Sequence, residues 1–359
     1  MPDVRPPSDQ SAELDARDVT TWLMQYREPR TIRSVFEIAI TAVPFIALWA
    51  LMWVTVFYGQ IWLCLLLSVP AAGLLVRLFM IQHDCGHGAF FRNRLANDWI
   101  GRIIGVLTLT PYDHWRRSHA IHHATSGNLD RRGIGDVDTW TVREYLSRPA
   151  LQRFGYRLYR HPLVLLGLAP AYLFILQNRL PIGFMRAGWR PWVSAMATNA
   201  AIALLVVLLM WAIGVVPFLL IHLPITLIAA SIGVWLFYVQ HQFEETAWEK
   251  GRTWNLHEMA LHGSSHYDLP AVLRWFTANI GVHHVHHLCS RIPFYRLGQV
   301  LRDIPHLRGV GRLTLRQSLG CARLVLWDEA DRRLVSFREV RARYGRHAAL
   351  PIAGSAFGG

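Results

Sequence analysis

Two long stretches of the chain carry no Asp, Glu, Lys or Arg, the first from Ile38 to Val76 and the second from Pro191 to Phe243. A helix crosses the hydrocarbon core of a bilayer with about 20 apolar residues, so each stretch has the length of two crossings. Polar or helix-breaking residues divide both, at Tyr58-Gly59-Gln60 and at Gly214-Val215-Val216-Pro217. The pattern predicts two helical hairpins, and a hairpin returns the chain to the side it left. The expected organisation is an N-terminal tail (1–34), a first transmembrane hairpin (35–82), a middle segment (83–190), a second hairpin (191–241), a C-terminal segment (242–350) and a flexible end (351–359). The fold class is all-α, a four-span integral membrane protein whose remaining segments form a helical cap on one face.

Between the hairpins the periodicity changes. Asn97 to Thr110 has one apolar face and few charges, the signature of a helix lying along the bilayer surface. Thr125 to Asp138 is rich in Gly and Asp and reads as an ordered loop. Pro162 to Gln177 is apolar but short and interrupted by Pro170, which predicts an interfacial or re-entrant segment. A fifth crossing there would separate the later histidines from the earlier ones.

Composition supports a membrane and gives the hairpins an orientation. The chain has 359 residues, of which only 17% are charged and 15 are Trp, and a mean hydropathy of +0.22. The formal charge of +13 lies entirely outside the two charge-free stretches, and Lys/Arg excess beside spans marks the cytoplasmic side. Arg77, Arg92, Arg94, Arg102, Arg116 and Arg117 flank apolar segments, a placement that suits anionic headgroups and not nucleic acid. Residues 1 to 34 are polar and mixed in charge, with no signal-peptide pattern. Cys64, Cys85, Cys289 and Cys321 are scattered, with no CxxC pair, so neither disulfides nor an iron–sulfur cluster is expected.

The 18 histidines are not scattered. His83 and His87 are four apart in HDCGH, His119, His122 and His123 form HAIHH, and His283, His286 and His287 form HHVHH. Spacings of three and four bring side chains together on one helix side. A lone pair at this spacing arises readily by chance, whereas three clusters, two of them repeating HxxHH, follow the pattern of a metal site. Eight imidazoles exceed the four ligands of one zinc and imply two metals. Imidazole serves Zn, Cu, Fe and Ni alike, so the spacing does not name the element. Position narrows the choice: the first cluster ends a span and the others flank the second hairpin, so the metals face a substrate that arrives from the bilayer. An unreactive, water-insoluble chain favours iron and dioxygen. His266 and His284 read as structural. Asp84, Asp136, Asp138, Glu244 and Glu245 are candidates to hydrogen-bond ligating rings, with helix capping or ion pairing as the alternative.

HDCGHGAFF, WRRSHAIHHATSGNLD, QHQFEE and NIGVHHVHHLCSRIP together resemble the boxes of the membrane fatty acid desaturase family, in particular its bacterial and cyanobacterial acyl-lipid Δ12/ω6-like branch. The similarity runs from about Ala39 to about Arg302. It implies that His83, His87, His119, His122, His123, His283, His286 and His287 are iron ligands, with His241 as a ninth. It also implies a fatty acyl lipid as substrate, two iron ions as cofactor, dioxygen as co-substrate and a cis double bond as product, while the Lys/Arg excess beside the spans predicts an active site on the cytoplasmic side. Tunnel depth would select the carbon attacked, and Trp49, Trp53, Trp62 and Trp235 are candidates to line the tunnel or to anchor the spans at the interface.

Two electrons must come from a separate donor, because the chain has no haem-binding HPGG motif and no flavin fingerprint. A ferredoxin, acidic and drawn to a basic face, is expected first, and a cytochrome b5-like carrier second. A hydroxylase, ketolase or acetylenase using the same boxes is the nearest enzymatic alternative. A non-redox zinc-binding or zinc-transporting membrane protein is the alternative of another class, although a transport path would place ionisable groups inside the spans.

Overall fold

In the computed structural model, residues 15–345 are described; the expected flexible end at 351–359 and residues 1–14 lie outside them. Among the described residues, four helices are long and apolar enough to cross a membrane: α2 (Thr31–Phe57), α3 (Ile61–Gly86), α9 (Arg190–Ile213) and α10 (Val215–His241). They correspond to the two expected hairpins. The breaks fall at Gly59 and Gly214, whose φ angles of +73° and +91° lie in the left-handed region that a residue without Cβ adopts readily. Pro44, Pro70 and Pro224 sit inside the long helices, and the Leu220 carbonyl that Pro224 frees accepts from the Cys64 thiol of α3 at 3.7 Å. The central element is α3, which packs against α2, α10 and α4 (Arg94–Leu107). By contrast, the apolar length of α9 is not covered by protein.

The helix α4 presents Leu95, Trp99 and Ile103 outward at four-residue spacing, as expected of a surface-lying helix. It is followed by α5 (Tyr112–Thr125), α6 (Val142–Ser147) and α7 (Ala150–Tyr159). Beyond α7, a short α8 (Ala169–Ala171) stands between π-helical turns at Val164–Leu168 and Tyr172–Leu176. The chain bends by 56° between Ala150–Tyr159 and Val164–Arg179, so this stretch is no single straight crossing. The remaining helices, α11 (Leu256–His262), α12 (Ala271–Phe276), α13 (His283–Leu288), α14 (Phe294–Asp303), α15 (Leu315–Cys321) and α16 (Phe337–Tyr344), build the cap. Two small strand pairs stitch it together. β1 (His266–Asp268) pairs in parallel with β2 (Arg312–Thr314), and β3 (Leu326–Asp328) pairs antiparallel with β4 (Arg333–Val335).

The segment expected to be a tail is folded from Asp15 onward. Asp15 caps α1 (Ala16–Leu23), its carboxylate accepting from the Arg17 N–H at 2.7 Å. Val19, Trp22 and Leu23 sit at helical spacing and are buried, with α1 against α11. Tyr26 then donates to the Asp303 carboxylate at 2.9 Å. The apolar positions that fix this helix are visible in the sequence, but they are few among polar neighbours.

At the capped end of the first hairpin, Arg77 and Glu37 form an ion pair at 3% and 1% side-chain exposure. The Arg77 Nε also donates to Thr41 Oγ1 at 3.1 Å, and the guanidinium donates to the Trp275 carbonyl and lies 4.4 Å from the Trp275 ring centre. One side chain thus ties α2, α3 and α12 together. Removing one member of such a pair leaves an uncompensated buried charge, a loss of about 3–5 kcal/mol, whereas replacing both by apolar groups is often near neutral. Glu37→Leu should therefore destabilise the protein in detergent by about that amount, and Glu37→Leu with Arg77→Met should recover most of it. Thermal or denaturant unfolding of the three variants checks this, and a double variant no better than the single would contradict the pairing.

Candidate metal centre

Because both hairpins return to the same end, the last turns of α3 and α10 arrive side by side. His83 lies in the last turn of α3, His87 caps it, and His241 is the final residue of α10. The second histidine cluster occupies α5 and the third occupies α13. Two features deliver α13. Ala278 and Asn279 adopt positive φ values of 50° and 55° and turn the chain sharply. At Gly281 a Cβ would stand 2.3 Å from the Tyr267 carbonyl, so only glycine lets the backbone pass β1 at this point.

The nine expected histidines converge in two groups. His83, His87, His119, His123 and His286 each place a ring nitrogen within 4.8 Å of the others, and so do His122, His241, His283 and His287. The HxxHH spacing explains the partition. Residues i and i+4 stand about 40° apart around a helix, while i+3 points about 60° to the other side. His119 and His123 thus serve one group and His122 the other; His283 and His287 serve one and His286 the other. Each box crosses over once. The groups adjoin where His123 and His287 stack at 4.1 Å.

Within the first group, the Nε2 atoms of His87 and His119, His119 and His123, and His123 and His286 lie 3.0, 3.1 and 3.1 Å apart. In the second, His122 and His241, His241 and His283, and His283 and His287 approach at 3.1, 3.0 and 3.1 Å. Burial holds His87, His119, His123, His283, His286 and His287 well below the ordinary imidazole range, and ring–ring repulsion adds to it. These rings are neutral at physiological pH, with one N–H each. A neutral ring that keeps its proton on Nδ1 has only a lone pair at Nε2, so chains of Nε2 contacts cannot all be hydrogen bonds. A shared cation satisfies them.

The outer nitrogens support that tautomer. His122 Nδ1 meets the Asp136 carboxylate, His83 Nδ1 faces Asp84 at 3.3 Å, and His241 Nδ1 faces the Gly263 carbonyl at 3.3 Å. Asp84 in turn accepts from the Phe294 N–H at 2.7 Å, tying α3 to the start of α14. Trp115 stacks on His119 at 4.7 Å. Of the other candidate carboxylates, Asp138 accepts from Trp140 Nε1 at 2.9 Å, and Glu244 and Glu245 are exposed. His266 and His284 are structural: their rings donate to the carbonyls of Arg308 and Leu307, each at 2.8 Å, and burial lowers His284 to about 3. Of the four tryptophans, Trp62 is 65% exposed and donates to Gln60, while Trp235 is half-buried and donates to the Tyr267 hydroxyl at 3.4 Å. The four cysteines are free and buried.

The sequence-family description "fatty acid desaturase" matches residues 60–317, a span that holds all nine histidines. The chain belongs to the fatty acid desaturase family. A fatty acid desaturase of Bacillus subtilis (strain 168) is 41% identical over 334 residues, covering 93% of this chain and 94% of the relative. An sn-1 acyl-lipid omega-3 desaturase (ferredoxin) of Synechocystis is 28% identical, covering 79% and 77%. An sn-1 oleoyl-lipid 12-desaturase of the same organism is 27% identical, covering 66% and 67%. This chain is an oxidoreductase of that family.

The depressed imidazoles give the metal-free protein a pH dependence. Below about pH 6.5 the unfolded chain binds protons that the folded rings refuse, so stability falls as pH drops from 7 toward 5. Bound metal competes with the same protons. Unfolding temperatures of metal-free protein should decline over that window, with metal-loaded protein more stable throughout; a flat profile for the metal-free form would contradict the neutral, buried assignment.

Proposed function

We propose that this chain inserts a cis double bond into the acyl chain of a membrane lipid, Δ12 being the expected position, at a pair of iron ions held on the cytoplasmic side. The single observation that carries the metal assignment is the spacing of the ring nitrogens. At a metal–nitrogen bond of about 2.1 Å, tetrahedral ligands stand about 3.4 Å apart and ligands at right angles about 3.0 Å. The approaches of 3.0–3.1 Å match right angles, and five nitrogens in one group exceed zinc's usual four. Both features favour a metal of higher coordination number, which suits iron and weighs against the non-redox zinc reading.

His83, His87, His119, His123 and His286 would hold one ion, and His122, His241, His283 and His287 the other. The bound pair, with dioxygen and two electrons, supplies the oxidising power to remove two hydrogens from adjacent methylenes. The chain's own residues do the rest. Neutral imidazoles leave the ions' charge in place, and Asp136 orients His122. The ends of α3 and α10 set the ligands at the mouth of the bilayer, where an acyl chain reaches them without entering water. Exposed arginines on the same side, among them Arg131, Arg157 and Arg252, suit an acidic ferredoxin as electron donor, with a cytochrome b5-like carrier as the alternative. The cytoplasmic orientation rests on the Lys/Arg excess of the segments outside the spans.

Gas chromatography–mass spectrometry of cellular fatty acids, with double bonds located by derivatisation, tests the reading in a host supplied with a ferredoxin system. Wild type should yield a new unsaturated acid and His283→Ala none. A hydroxylated product, or unchanged lipids despite inserted protein, would overturn it, and the bond located decides between Δ12 and omega-3 action.

A further inference from the structure

Arg160, directly after α7, is 2% exposed, yet all its hydrogen-bond acceptors are neutral. Its Nη1 donates to the Asp138 carbonyl at 3.1 Å and Thr139 Oγ1 at 3.4 Å. Its Nη2 donates to the Tyr238 hydroxyl, Gln242 Oε1 and the Leu324 carbonyl at 3.2, 3.0 and 2.9 Å. Its guanidinium carbon also lies 5.9 and 5.3 Å from the ring centres of Tyr156 and Tyr238, but burying a cation without a carboxylate is a poor way to gain stability, since an apolar side chain of similar volume often does as well or better. What the guanidinium supplies is geometry: a planar fork of fixed directions.

Those directions lead to residues beside the four-nitrogen group. Gln242 follows His241, and its Nε2 donates to Thr139 Oγ1 at 3.0 Å, closing a ring of hydrogen bonds with Arg160. Thr139 and Asp138 lie three and two residues after Asp136, which holds His122. Arg160 therefore braces both the loop that carries the His122 partner and the end of the helix that carries His241. None of its contacts reaches an element that carries only the five-nitrogen group. Tyr238, one turn before Gln242, is held by the same fork and donates onward to the carbonyls of Cys321 and Leu324 at 3.1 and 3.0 Å. The brace thereby extends into the C-terminal part of the cap.

We propose that Arg160 is a positioning residue selective for the metal held by His122, His241, His283 and His287, acting through Thr139 and Gln242 on the loop at Asp136 and the end of α10. The proposal rests on the two-metal reading above. It predicts unequal damage: loosening the fork should weaken one metal by about 10- to 100-fold, the range for losing a group that orients a ligand, and leave the other as it was.

The test uses full-length protein purified with iron, comparing wild type, Arg160→Met, Arg160→Lys and Thr139→Val. Iron per chain is measured during titration with a chelator, and Mössbauer spectra count the iron environments retained. Wild type should hold two irons, Arg160→Met should release one early and keep the other at wild-type affinity, and Thr139→Val should shift the same iron by less. Arg160→Lys, which keeps the charge without the fork, should fall between Arg160→Met and wild type. Should Arg160→Met fail to fold, Thr139→Val carries the comparison. Wild-type retention of both irons in Thr139→Val and in any folded Arg160→Met, or equal weakening of both irons, overturns the positioning role. A wild type that binds no second metal overturns instead the two-metal reading on which it stands.

Discussion

Everything else in the structure depends on bringing nine imidazoles, most of them stripped of water, into two groups small enough for each to share one cation. Neutral rings with converging lone pairs repel. A metal ion at each point of convergence would offset that repulsion and strengthen the docking of the cap on the spans. The scaffold reflects this demand. Four helices from distant parts of the chain must end within a few ångströms of one another, and each end is tied down: α3 through Asp84 to Phe294, α5 through Asp136, α10 through Gly263 and Gln242, and α13 by the close passage of Gly281 over β1.

The membrane contributes in a specific way. Hairpins whose apolar lengths match the bilayer return their ends to one surface, and the packing of α3 against α10 brings the helix ends that carry His83 and His241 to one site although 158 positions separate them in sequence. Polar groups at that surface are then used to lock helices. Arg77 with Glu37 fastens α2, α3 and α12, while Arg160 on neutral acceptors fastens α7, α10 and the loop before α6. The two arginines solve the same problem of a buried cation differently. One has a carboxylate; the other has neutral hydrogen-bond acceptors and the rings of Tyr156 and Tyr238.

Much of this was legible in the chain itself. Charge-free runs with Gly and Pro at their midpoints mark the hairpins because the bilayer excludes charge and tolerates few breaks. The HxxHH boxes mark the candidate metal site because ligand spacing and helix geometry leave few other uses for such density. The resemblance added His241, which no spacing rule singles out, since its partners come from other helices. The partition of each box between the two histidine groups was within reach from helical angles, but it needed the relative placement of four helices to become definite. The folding of residues 15–34 was missed because Val19, Trp22 and Leu23 make a short apolar stripe whose partner, α11, lies over 230 positions away. Arg160 was likewise indistinguishable from the surrounding basic residues, because burial is a property of the tertiary arrangement and not of the local pattern.

The most direct test of the central claim is to locate the metals, by anomalous scattering recorded on either side of the iron absorption edge from crystals of the full-length protein grown in iron-replete conditions. The account predicts two iron peaks, one enclosed by His83, His87, His119, His123 and His286 and the other by His122, His241, His283 and His287. A single peak, or an ion bound by four ligands in a closed tetrahedron, would contradict it.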